Sequence, residues 1–193
     1  MALANRGTFR WACAKGHIWY TTPWMVCSRG GGCAVCGGSE AEAAVSAELH
    51  ASGAGYEHHW RPGFIQKQGP RAQYEFDFRI DRLSPLDMFR KSVVLEIDGL
   101  QHFVDFNHAR GLDEERRGDV RKMTLALQEG HSLVRHLART IRLGETDWRR
   151  LRSALRQAGN TSDPVILLQN DPMYHEMAKD PLLAHLSHLI QFY

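Results

Sequence analysis

Three acidic residues, Asp77, Glu96 and Asp98, stand where neighbouring strands would gather them. Tyr74, Phe76, Phe78 and Ile80 alternate with Glu75, Asp77, Arg79 and Asp81, so 73–81 reads as a half-buried strand. Asp77 then points away from the Tyr74/Phe76/Phe78 face. Val93–Asp98 reads as the next strand, with Glu96 and Asp98 opposite Val93, Leu95 and Ile97. If the two strands pair, three carboxylates converge, and like charges that close require a cation among them. Carboxylates with a backbone carbonyl suit Mg²⁺ or Mn²⁺. Such an ion makes hydroxide from water and offsets charge on a pentavalent phosphate, the chemistry of phosphodiester hydrolysis. Gly99 turns the chain after the strand and delivers Gln101 and His102 to the same edge. The His102 imidazole, titrating near neutrality, suits a base or a water-orienting group.

Plainer roles compete with these. Ser39-x-x-Glu42 is a capping box, which by itself accounts for Glu42. Asp77 reads equally as a solvated strand residue and His102 as an ordinary histidine. His50, His58, His59, His108, His131 and His136 show no comparable partner pattern and read as structural or surface residues.

A second chemistry lies upstream, where all four cysteines fall between Cys13 and Cys36. Cys13-x3-His17 and Cys33-x2-Cys36 offer four ligands, the number a closed structural zinc site takes. Gly31 and Gly32 let the backbone fold close to the ion. Cys27 is an alternative to His17 as fourth ligand. So short a segment cannot build a sufficient core, and zinc would supply its folding energy. Lys15, Arg29 and exposed aromatics there are possible DNA contacts.

These groups need a scaffold. The 193 residues are 43% hydrophobic and 24% charged, the composition of a soluble globular chain. Three regions separate: 1–38 as a zinc-binding module, 39–158 as an α/β core, and 159–193 as a C-terminal extension packing on the core. An Ala-rich helix runs from Ser39 to Gly53, burying Val45 and Leu49. Further helices are expected near Asp119–Glu129, ending at Gly130, and over Asp147–Ala158, with a strand at Leu133–Leu137 between them. The order helix, strand, strand, helix, strand, helix predicts a mixed sheet flanked by helices. Net charge is only +2. From Arg110 to Arg156, however, twelve Lys/Arg stand against seven Asp/Glu, which suits a phosphate-rich partner as well as a solvated helix surface. No stretch is apolar enough to span a bilayer and no secretory signal is visible, so an intracellular location, cytoplasm or nucleus, is expected.

The stretch Val93-Val94-Leu95-Glu96-Ile97-Asp98-Gly99-Leu100-Gln101-His102-Phe103 resembles the ExDGxQHF segment of endonucleases similar to the very-short-patch repair enzyme. These belong to the PD-(D/E)XK superfamily, including its EDxHD branch. Ser39-x-x-Glu42-x-x-Val45 resembles the family's first helix, and Tyr74–Phe78 the strand carrying its aspartate. Asp119-x-x-Lys122, Gly130 and Leu133-Val134-Arg135 resemble its D-x-x-K helix and the strand that follows. Cys13-Ala-Lys-Gly-His17 with Cys33-x-x-Cys36 resembles treble-clef zinc domains fused to such nucleases, which favours His17 over Cys27.

The resemblance implies a restriction-endonuclease-like fold over residues 39–158. It makes Asp77 the principal Mg²⁺ or Mn²⁺ ligand, puts Glu96 at the superfamily's acid, and makes Glu42 a metal-site or supporting acid. His102 would activate or position water, with Asp119 orienting its imidazole. Lys122 and Arg135 would contact phosphate or stabilise charge. Asp98 stands where the family's lysine would be, a departure that leaves the identity of the base open. The expected activity is metal-dependent hydrolysis of DNA, by nicking or double-strand cleavage. The alternatives are a non-catalytic zinc-containing DNA-binding protein on a nuclease scaffold and an RNA-processing nuclease.

Overall fold

A computed structural model describes residues 9–12, 18–21, 23, 40–63, 75–99, 102–103, 111–141 and 145–193. Near the N-terminus, β1 (Phe9–Ala12) pairs antiparallel with β2 (Ile18–Thr21), Ala12 lying opposite Ile18. The pair brackets residues 13–17. The proposed zinc ligands Cys13, His17, Cys33 and Cys36 lie outside the described residues, as do Cys27, Ser39 and Gln101.

Helix α1 (Glu40–Ala51) follows from its alanines and buries Ala41, Val45 and Leu49 at helical spacing. It stops at Gly53, whose φ of 69° is open to glycine at little cost, and Ala54 N donates back to Leu49 O. The chain continues through β3 (Gly55–Trp60), β4 (Phe76–Ser84) and β5 (Asp87–Asp98). Then come α2 (Gly111–Gln128), β6 (Ser132–Leu137), the short α3 (Ala138–Ile141) and α4 (Glu145–Asn160). Last are β7 (Ile166–Leu168), α5 (Pro172–Ala178), a 3-10 helix over Pro181–Leu189, and β8 (Ile190–Phe192).

Strands β3 to β8 form one six-stranded sheet in chain order. The first three are antiparallel and the last three extend β5 in parallel, so the sheet is mixed. Helices cover both faces, which makes β6 buried at every residue, as a central parallel strand must be. One face packs Val45, Leu49, Phe78, Leu95 and Val134 against Leu151 and Leu155 of α4. The other packs Phe76, Val94, Leu133 and Leu137 against Met123 and Ala126 of α2 and against Tyr174 and Leu183. The fold is α/β, a mixed sheet flanked by helices.

The structure departs from the sequence reading in several places: the helix expected from Asp119 begins at Gly111, and the strand expected from Val93 begins at Asp87. Strand β3 had no distinct signal, because Gly-Tyr-Glu-His-His-Trp is polar and forms an edge. Residues 159–193 do more than pack on the core: β7 and β8 complete its sheet. Each is three residues long, too short for a periodic pattern to register.

Candidate metal and proton-transfer site

The sheet brings most of the expected residues to the edge formed by the carboxyl end of β5 and the start of β4. In the β4/β5 ladder Phe78 faces Leu95, and Asp77 and Glu96 are the next residues along each strand. Ile97 N donates to Asp77 Oδ2 at 2.6 Å, which ties the Asp77 side chain to β5 beside Glu96. Burial first, then the Glu96 and Glu42 charges, push the Asp77 carboxyl well above its ordinary value. Three carboxylates therefore share one region, with Glu42 contributed by the first turn of α1.

A cation already touches this group. Lys122 Nζ on α2 lies 2.6 Å from Glu96 Oε1 and 4.9 Å from the centre of the Phe76 ring. Burial raises the Glu96 carboxyl, and the Lys122 and Arg135 charges counter it in part. Lys122 itself is held above its ordinary value: burial disfavours its charge, but Glu96 more than compensates.

Asp98 does not join the carboxylate group. The sequence reading placed it there with Asp77 and Glu96, but it is 1% exposed and its oxygens are engaged elsewhere. Arg135 Nε donates to Asp98 Oδ2 and Arg135 Nη2 to Oδ1, each at 2.7 Å, and the Tyr174 hydroxyl donates to Oδ2 at 2.6 Å. A buried carboxylate takes the strongest donors within reach, and the planar guanidinium fork matches it. Asp98 is therefore a structural anion in this arrangement. Arg135, also 1% exposed, has no path to a phosphate in solvent and acts as the counter-charge.

His102 and Asp119 meet as the resemblance implied, with His102 Nδ1 2.8 Å from Asp119 Oδ2. Arg135 Nη2 donates to the same oxygen at 2.9 Å. Burial alone would depress the imidazole, but Asp98 and the Asp119 hydrogen bond raise it to about 9. Burial likewise opposes the Asp119 charge, yet Arg135 and His102 hold that carboxyl below the usual carboxylate range. The shift favours the protonated imidazole at neutral pH. In that form it can donate a proton or a hydrogen bond to an oxyanion. A raised imidazole suits a donor or water-orienting role better than that of a base.

Sequence reasoning missed three participants. Tyr174 comes from the C-terminal segment, where it read as packing. His58 and His59 stand beside Glu42, His58 Nε2 being 3.6 Å from Glu42 Oε2. Their adjacency in sequence was the one available signal. No described helix is long and apolar enough to cross a membrane. Comparison of the chain with protein-family models, curated proteins and solved structures returns no match.

Proposed function

We propose that the chain is a Mg²⁺- or Mn²⁺-dependent endonuclease acting on DNA, with a PD-(D/E)XK type of core and a structural zinc bound by Cys13, His17, Cys33 and Cys36. The observation that carries this reading is the tie between the Asp77 carboxylate and β5 beside Glu96. It sits at the carboxyl edge of the parallel strands, where open α/β sheets characteristically bind ligands.

The residues present fit a hard divalent ion. Lys122 balances Glu96, and Arg135 with the His102 imidazolium balances Asp98 and Asp119. Burial and the Glu96 and Glu42 charges disfavour an ionised Asp77 until a cation offsets them. Mg²⁺ or Mn²⁺ held by Asp77 and Glu96, with Glu42 beside them, would supply Lewis acidity and a water of lowered pKa. Around it, Lys122 holds Glu96 in place and presents an ammonium to developing negative charge. His102 Nε2 is the donor for a phosphate or leaving oxygen, with Asp119 fixing the ring through Nδ1. Arg117 and Arg121, exposed on the helix that carries Asp119 and Lys122, suit contacts to a phosphate backbone. The exposed Arg149, Arg150 and Arg156 of α4 belong to the layer on the opposite face of the sheet and are placed less well for the same strand.

Supercoiled plasmid incubated with Mg²⁺ tests the reading. The wild-type chain should relax or linearise it and Asp77→Asn should not; equal behaviour of the two refutes an enzyme.

A further inference from the structure

We propose a second metal site, formed by Glu42, His58 and His59, that takes a divalent first-row transition ion rather than Mg²⁺. A strand sends consecutive side chains to opposite faces, so adjacent histidines ordinarily diverge. Here His59 adopts φ 56°, a left-handed conformation uncommon for a residue with a Cβ. The alternation breaks, and the His59 ring stacks on that of His58, centroids 3.9 Å apart. One donor atom from each of Glu42, His58 and His59 falls within 4.8 Å of the others.

The details suit ligation better than hydrogen bonding. His58 Nε2 and Glu42 Oε2 are 3.6 Å apart, beyond a good hydrogen bond. Two ligands on one ion with bonds of ~2.1 Å are separated by roughly 3.4 Å along a tetrahedral edge. The Nε2 atoms of His58 and His59 are both buried without a hydrogen-bond partner, which is costly for a ring nitrogen unless something else satisfies it. His59 Nδ1 lies 2.6 Å from Glu75 Oε1, an arrangement in which the neutral ring donates through Nδ1 and turns Nε2 toward a ligand position. That carboxylate–imidazole arrangement is the usual support of a metal-bound histidine. The His58 ring is in turn fixed flat against Phe78, at 4.5 Å and 9°. Two imidazoles and one carboxylate suit zinc, iron, cobalt or manganese and leave a coordination position open. Magnesium, which prefers oxygen donors, has little reason to settle there.

The site shares Glu42 with the nuclease reading but uses neither Asp77 nor Glu96, and its two histidines are tested separately from plasmid cleavage. Cobalt is the probe, with the full chain dialysed against Co²⁺ and its metal content measured with excess Mg²⁺ present. Wild type should retain one more equivalent than His58→Gln or His59→Asn, the asparagine chosen because it tolerates the left-handed backbone. Cys33→Ser/Cys36→Ser, which removes the thiol site, should keep that equivalent. Equal cobalt in wild type and both histidine variants overturns the proposal. X-ray absorption of the cobalt-loaded cysteine variant gives an answer needing no histidine substitution. Imidazole scattering around the ion is expected, and its absence overturns the site. Plasmid cleavage in Mg²⁺ is read separately, so either assay can fail without the other.

Discussion

Arg135 grips Asp98 from the neighbouring parallel strand through two hydrogen bonds of 2.7 Å, with both side chains essentially excluded from solvent. In β5 and β6 the paired positions are Glu96 with Arg135 and Asp98 with Leu137, so the guanidinium reaches diagonally to its partner. Breaking such a pair strands a buried charge. Asp98→Asn should lower unfolding free energy by about 3–5 kcal/mol. Tyr174→Phe, which removes a single hydrogen bond to the same carboxylate, should cost about 1.5–3 kcal/mol. Urea denaturation of the two variants measures both. A larger loss for Tyr174→Phe than for Asp98→Asn would contradict the assignment of Arg135 as the main partner.

The His102 imidazole should titrate at about 9 in the folded protein, against about 6.5 when unfolded. Because the folded value is the higher one, this group stabilises the fold fully below pH 6.5. That contribution fades as pH rises through about 9. Proton NMR of the imidazole resonances follows the titration directly. Asp119→Asn should move it part of the way down toward 6.5, since Asp98 still faces the ring. An unchanged titration would show that Asp119 does not hold the proton.

Lys122 should matter to catalysis beyond its ion pair. Lys122→Ala removes the ammonium from Glu96, and plasmid cleavage should fall by about 10²–10³-fold, the usual scale for one charge-stabilising donor. Arg117→Ala, a surface change, should instead weaken DNA binding modestly and flatten its dependence on salt. Cleavage rates and binding isotherms at several salt concentrations separate the two effects. Chelation of divalent ions should abolish cleavage in every variant.

Gly159 offers a test of packing far from the chemistry. A Cβ there would lie 2.4 Å from the Phe89 ring, closer than any real contact, and the ring has to move to admit it. Gly159→Ala should therefore destabilise the fold by about 1–3 kcal/mol despite the better helix propensity of alanine. Thermal unfolding reads this. A gain in stability would mean that β5 and α4 are less tightly apposed than described.

Much of this architecture was legible in the chain. Val45 and Leu49 at helical spacing marked the first helix, and the alternation over 73–81 marked β4, although Phe76 and Phe78, expected on one face, lie on opposite faces of the sheet. Gly53 and Gly130 ended their helices where expected, because a positive φ at a helix end favours glycine; at Gly130 φ is 82° and His131 N donates back to Ala126 O. The residue types of the site were also readable, though the side chain of Asp77 is fixed by its bond from Ile97 N and not by simple alternation.

Partner choice was settled by tertiary structure, because it depends on distances between residues far apart in sequence. Local pattern could not say that Asp98 would bind Arg135 and Tyr174 while Glu96 drew Lys122, nor that Asp98 and Asp119 would leave His102 protonated. It also could not place His58 and His59 on one side, since that turns on the φ of a single residue. The two-residue repeat breaks between Phe76 and Phe78, which lie on opposite faces of the sheet, so sequence by itself placed the acids Asp77 and Glu96 only on neighbouring strands. Only the packed sheet decided which of them pair with buried cations and which stay available to an ion, because the strength of each pairing is set by burial and by the distance between charges.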